Sequence, residues 1–181
     1  MVKETDIETV RRAQQGDVEA VGHLYDVYQE PIFRYVWSRV RDRQLAEDLT
    51  GEVFARLVTH LSTYREQDAP FRAWLYRIAH NLVVDHFRVE NGRFHTPLHL
   101  AEPVPEPRPG PAAIVERQLT MERVQQALAV IDPAQREVIL LRFVLGLPLQ
   151  EVALVLEKSL PAVKSLQHRG VKAVQAALRT I

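Results

Sequence analysis

Six prolines, Pro97, Pro103, Pro105, Pro107, Pro109 and Pro111, fall in one stretch between Asn91 and Arg117, and no regular element can run through them. Each removes a backbone donor and locks its own φ, so a helical or sheet ladder is broken repeatedly. The stretch predicts an extended linker of polyproline character over residues 92–118. It parts residues 1–91 from residues 119–181, and 181 residues suffice for two small domains with a modest core each.

Both flanks carry helical periodicity without strand-like alternation. In the first, Asp6 is placed to cap a short helix that Gly16 stops, Asp17 to cap the next, and Pro31 to break or restart the chain. Leu45, Leu49, Val53, Leu57 and Leu61 form one apolar stripe, and Phe71, Leu75, Ile78 and Leu82 another, both expected in a core. In the second flank Val124, Leu128 and Ile131 stripe one helix; Asp132 and Pro133 open the next and Gly146 ends it. Leu149, Val152, Ala153 and Leu156 give a short helix face behind Pro148, and Ser159 can cap a last helix. The fold class expected is all-α: two small helical domains joined by a proline-rich linker, the second containing a helix-turn-helix.

Composition excludes several functions. Apolar residues at 46% and charged ones at 25% describe a folded chain, and the absence of cysteine removes disulfides, thiolate metal sites and cysteine nucleophiles. There is no glycine-rich phosphate loop, no GxSxG and no HExxH, so neither an enzyme nor a cofactor is expected. A metal site at His80, Asp85 and His86 is disfavoured because His80 and His86 lie six apart, on opposite sides of a helix. His95 and His99 flank Pro97. The charged start MVKETDIETVRR and the lack of a long apolar run predict no membrane insertion and a cytoplasmic location.

Net charge is zero but uneven: residues 1–91 carry 12 Lys/Arg against 15 Asp/Glu, residues 119–181 carry 8 against 5, and from Lys158 onward there are five bases and no acid. Lys164, His168 and Lys172 follow one another at i+4, with Ser165, Gln167 and Arg169 alongside. That surface suits a DNA groove, and equally a solvated amphipathic helix. Residues 64–88 interleave Tyr64, Phe71, Trp74 and Tyr76 with Arg65, Arg72, Arg77 and Arg88, a composition for gripping single strands or, by the plainer reading, an aromatic core with arginines outside. Glu47, Asp48 and Glu52 read as surface acids suited to docking.

The order LAEDLTGEVFARL, FRAWLYRIAHNLVVDHFR, proline linker, DPAQREVILLRFVLGLPLQEVALVLEKSLPAVKSLQHRG resembles the extracytoplasmic-function group of the sigma-70 family, over about residues 18–91 and 119–178. The resemblance implies a region-2 domain at 1–91 that binds core RNA polymerase and opens the minus-ten element, and a region-4 domain at 119–181 that reads the minus-thirty-five element. By it, Asp48, Leu49 and Glu52 meet the clamp coiled coil, with the flap a further contact on core. Tyr64, Arg72, Trp74, Arg77 and Asn81 serve the minus-ten DNA, with Tyr64 and Asn81 at a flipped-base pocket. Lys164, Ser165, Gln167, His168, Arg169 and Lys172 serve the minus-thirty-five duplex. Promoter DNA and an inhibitory anti-sigma factor are the other implied partners; no small-molecule substrate is. The chain departs from the family pattern at Gly51, usually glutamine, at Leu166, usually arginine, and at Glu157 and Lys158, where glycine and an apolar residue are usual. A regulator binding duplex DNA alone and a protein-sequestering adaptor are the competing readings.

Overall fold

The computed structural model describes residues 4–40, 42–91, 123, 124 and 126–180; the expected linker at 92–118, with His95 and His99, lies outside them. Among the described residues there is no strand. The helices are α1 (Glu4–Gln14), α2 (Val18–Val40), α3 (Arg43–His60), α4 (Phe71–Asn91), α5 (Pro133–Ile139), α6 (Leu149–Val155) and α7 (Leu160–Thr180). A 3-10 turn, Leu61–Thr63, follows α3, and a turn of π-helix, Leu140–Val144, extends α5. None of these helices is long and apolar enough to cross a membrane.

Local chemistry sets most helix ends. Gly16, at φ +89°, closes α1 in a Schellman turn: its N–H donates to the Ala13 carbonyl and that of Asp17 to the Arg12 carbonyl. The Asp17 carboxylate then accepts from the Glu19 and Ala20 amides and starts α2. Asp132 accepts from Ala134 and Gln135 ahead of Pro133. α1 begins at Glu4, so Asp6 lies inside the helix rather than in front of it. Pro31 does not break the chain; α2 runs through it. Proline forfeits one intrahelical bond, and the burial of Leu24, Tyr28, Ile32, Tyr35 and Val36 on either side outweighs that loss.

In the N-terminal half, Val53, Leu57 and Leu61 of the expected stripe are buried, joined by Ala46, Thr50 and Phe54, while Leu45 and Leu49 are half-exposed. On α4, Phe71, Leu75 and Leu82 are buried and Ile78 is partly so. In the C-terminal half, Leu128, Ile131, Ile139 and Leu140 form a small core against Val171 and Val174. Arg136 ties the helical residues 126–130 and the turn after them to α5, donating to the carbonyls of Leu128, Ala129 and Ile131.

The two halves do not stand apart. α4 packs on α6, and one apolar cluster runs from Leu75, Tyr76, Ala79 and Val83 into Val138, Leu141, Leu147, Val152 and Val155. Apolar faces on both sides bring the halves together.

Candidate nucleic-acid interface

α7 is the most direct candidate. Val163 and Gly170 are its buried side, where a Cβ on Gly170 would stand 3.1 Å from Ile139 Cγ1 and 3.3 Å from the Gln135 carbonyl oxygen. That close crossing of α5 and α7 turns Lys164, Ser165, His168, Arg169 and Lys172 to solvent, while Gln167 is half-buried. Ser159 caps the helix through the Ala162 amide. Five of the six residues expected at the minus-thirty-five duplex therefore share one exposed, donor-rich surface. The turn before α7 contains Glu157 at φ 51°, a left-handed conformation that L side chains adopt at a cost.

On α4, Trp74, Arg77 and Asn81 stand at i, i+3 and i+7 and so share a face, Asn81 exposed and the other two half-buried. Tyr64 sits beneath this face. Its ring lies 5.0 Å from Trp74 and 5.6 Å from Phe71, and its hydroxyl donates to the Ala69 carbonyl at 2.9 Å. Burial, with a smaller contribution from the Glu66 charge, pushes the Tyr64 phenol up to about 12, so it stays a neutral donor. Asn81 lies two turns beyond Trp74, about 10 Å along the axis. Arg72 points elsewhere: its Nε lies 3.0 Å from Glu151 Oε2 on α6.

Asp48 and Glu52 are exposed on α3 one turn apart, with Leu49 half-buried between them. Gln44 donates to Asp48 and Arg56 to Glu52, each across one turn. Gly51 lies beside them, and a Cβ there would meet nothing within 4 Å.

The contact between the halves is polar as well as apolar, and its members escape a motif reading. Glu137, buried on α5, accepts from Tyr35 Oη at 2.8 Å and faces Arg39 Nη2 at 2.9 Å, with His80 Nδ1 at 3.5 Å. Burial raises the Glu137 pKa, but the Arg39 charge and the bonds from His80 and Tyr35 outweigh it and hold the carboxyl at about 2. Helical spacing offers the signal: Glu137 falls on the same face as Leu140 and Leu141, so a carboxylate on that face requires a cationic partner.

Residues 24–93 match the family model for Sigma-70 region 2, and residues 121–174 that for Sigma-70, region 4. The chain is 37% identical to the ECF RNA polymerase sigma factor BldN of Streptomyces coelicolor over 172 residues, 95% of this chain and 65% of BldN. It is 30% identical to SigX of Bacillus subtilis, across 84% of this chain and 80% of SigX, and 31% identical to SigD of Mycobacterium tuberculosis, across 90% and 79%. Both are ECF RNA polymerase sigma factors. The fold is shared with CnrH in its complex with the cytosolic domain of CnrY, at a TM-score of 0.72 and 23% identity over 98% of this chain and 99% of that one. It is shared too with Bartonella quintana RpoE in complex with the anti-sigma factor NepR, at 0.68 and 17% over 90% and 98%.

Proposed function

Because the chain belongs to the extracytoplasmic-function group of the sigma-70 family of RNA polymerase sigma factors, we propose that it binds core RNA polymerase and directs promoter-specific initiation in the cytoplasm. The observation that carries this reading is the exposed basic face of α7, presented by a helix-turn-helix on the same chain as a region-2 helical bundle. Lys164, Ser165, His168, Arg169 and Lys172 contact phosphates and base edges of the minus-thirty-five duplex, and Gln167 reaches it from the side.

Trp74, Arg77 and Asn81 serve the minus-ten strand, with stacking and base-edge bonds offsetting an unpairing cost of roughly a few kcal/mol. Tyr64 supports Trp74 from below. Arg72 reaches DNA only when Glu151 releases it, hence when the halves move apart. Asp48, Glu52 and the edge of Leu49 dock on the clamp coiled coil, while the exposed apolar pair Phe143 and Val144 suits a contact with the flap. An anti-sigma partner, as NepR is for the RpoE of shared fold, is proposed for this chain as well.

The test is transcription by purified chain and core polymerase from a randomised promoter library, with the transcripts sequenced. A two-part upstream motif that requires core supports the reading. Tight duplex binding by the chain alone, without transcription, would instead indicate an independent regulator.

A further inference from the structure

Helix α1 precedes the stretch that matches region 2, which begins at residue 24, yet it is bonded to the loop that carries Tyr64. That loop leaves α3 through the 3-10 turn Leu61–Thr63, whose Leu61 carbonyl accepts from the Tyr64 backbone amide. Gln14, half-buried in the final turn of α1, donates its side-chain amide both to Leu61 O, as a second donor on that carbonyl, and to Tyr64 O just past the turn, each at 2.9 Å. A carboxamide nitrogen has two hydrogens, and here each meets a carbonyl. The Schellman turn at Gly16 fixes the backbone from which Gln14 projects.

Downstream of this clamp the contacts continue without a gap. The Tyr64 backbone is held by Gln14, its hydroxyl by Ala69, and its ring by Phe71 and Trp74. Trp74 belongs to the face it shares with Arg77 and Asn81. Ile7, Val10 and Arg11 of α1 stand opposite Tyr64, Pro70 and Phe71 across a cleft of about 500 Å³, beside which Val10 and Ala13 share one apolar cluster with Leu61, Tyr64 and Phe71. Arg11 and Glu66 add a long, exposed ion pair at 3.8 Å, which contributes little.

We propose that Gln14 is a positioning residue for minus-ten opening: it fixes the loop on which Tyr64 supports Trp74, making α1 part of the melting apparatus. The proposal rests on the sigma-factor reading above. It is tested with Gln14→Ala, which removes both donors, and Gln14→Glu, which turns a carboxylate toward two carbonyls. Full-length variants are assembled with core polymerase and compared on a duplex promoter and on the same promoter pre-melted across the minus-ten element.

On the duplex, open-complex yield falls about tenfold for Gln14→Ala, the size expected from losing two neutral hydrogen bonds, and further for Gln14→Glu. Core affinity stays unchanged, and the pre-melted template restores both variants to within about twofold of the unmutated chain, a rescue that general unfolding would not give. Equal loss on both templates, a parallel loss of core affinity, or no loss would overturn the positioning role. Failure of the unmutated chain to open either template with core would instead overturn the sigma reading itself.

Discussion

The Arg39 guanidinium and the Glu137 carboxylate, 2.9 Å apart and both nearly inaccessible to solvent, join the two halves of the chain across the proline-rich stretch. Removing one member leaves the other buried and uncompensated, which costs about 3–5 kcal/mol. Glu137→Ala is therefore expected to uncouple the halves. Urea unfolding followed in parallel by far-UV ellipticity and tryptophan fluorescence, which reports Trp37 and Trp74 in the N-terminal half, should coincide for the unmutated chain and separate for the variant. Coincident curves with an unchanged midpoint would remove Glu137 from this role.

The same carboxylate makes stability acid-sensitive in a defined direction. In the folded chain Glu137 titrates at about 2, below its ordinary value of 4.5, so its contribution is complete above 4.5 and is lost as pH falls toward 2. The stability advantage of the unmutated chain over Glu137→Gln should be flat down to about pH 5 and shrink below it. An advantage that grew in acid would reverse the sign of the assignment.

Glu157 occupies a left-handed conformation in the turn ahead of α7, φ 51°. Glycine takes that conformation without the Cβ clash, so Glu157→Gly is expected to stabilise the chain by about 1 kcal/mol after the glycine's own entropy is counted. The midpoint of chemical denaturation measures this; a loss would mean that the side chain contributes more than its strain costs.

Two further glycines should respond in opposite ways. At Gly51 a Cβ meets open space inside α3, and Gly51→Ala should gain about 0.5–1 kcal/mol from helix propensity. At Gly170 it meets Ile139 and the Gln135 backbone, which cannot swing aside, and Gly170→Ala should lose about 1 kcal/mol despite the better propensity. Paired melts of the two variants suffice to check the contrast.

Lys164 stands exposed on the basic face of α7. With core polymerase present, Lys164→Ala should weaken promoter binding on every sequence and lower the salt slope by about one. An unchanged slope would place Lys164 away from the phosphates.

Elements governed by neighbours in the sequence are legible from it. Asp17, Asp132, Gly16 and Gly146 mark their helix ends because capping involves residues only a few positions apart. The i+4 row Lys164, His168, Lys172 lies on one exposed face for the same reason. Pro31 misleads because helix continuity there depends on burial along all of α2, which a single residue does not announce. Arg72, read among its aromatic neighbours, resembles a DNA contact; its partner Glu151 is 79 residues away. Tyr35 and Glu137 are 102 apart, and Gln14 meets Tyr64 across 50, distances at which periodicity carries no pairing information.

The salt bridge between Arg72 and Glu151 has a consequence for affinity. A ligand that engages only a separated arrangement of the halves competes with the molecule's own contacts, and its observed dissociation constant is the intrinsic one divided by the fraction of chains already apart. Every 1.4 kcal/mol held in the Arg72–Glu151 and Arg39–Glu137 contacts raises that constant about tenfold. Substitutions at Glu151 and Glu137 can thus tune how tightly such a ligand is held.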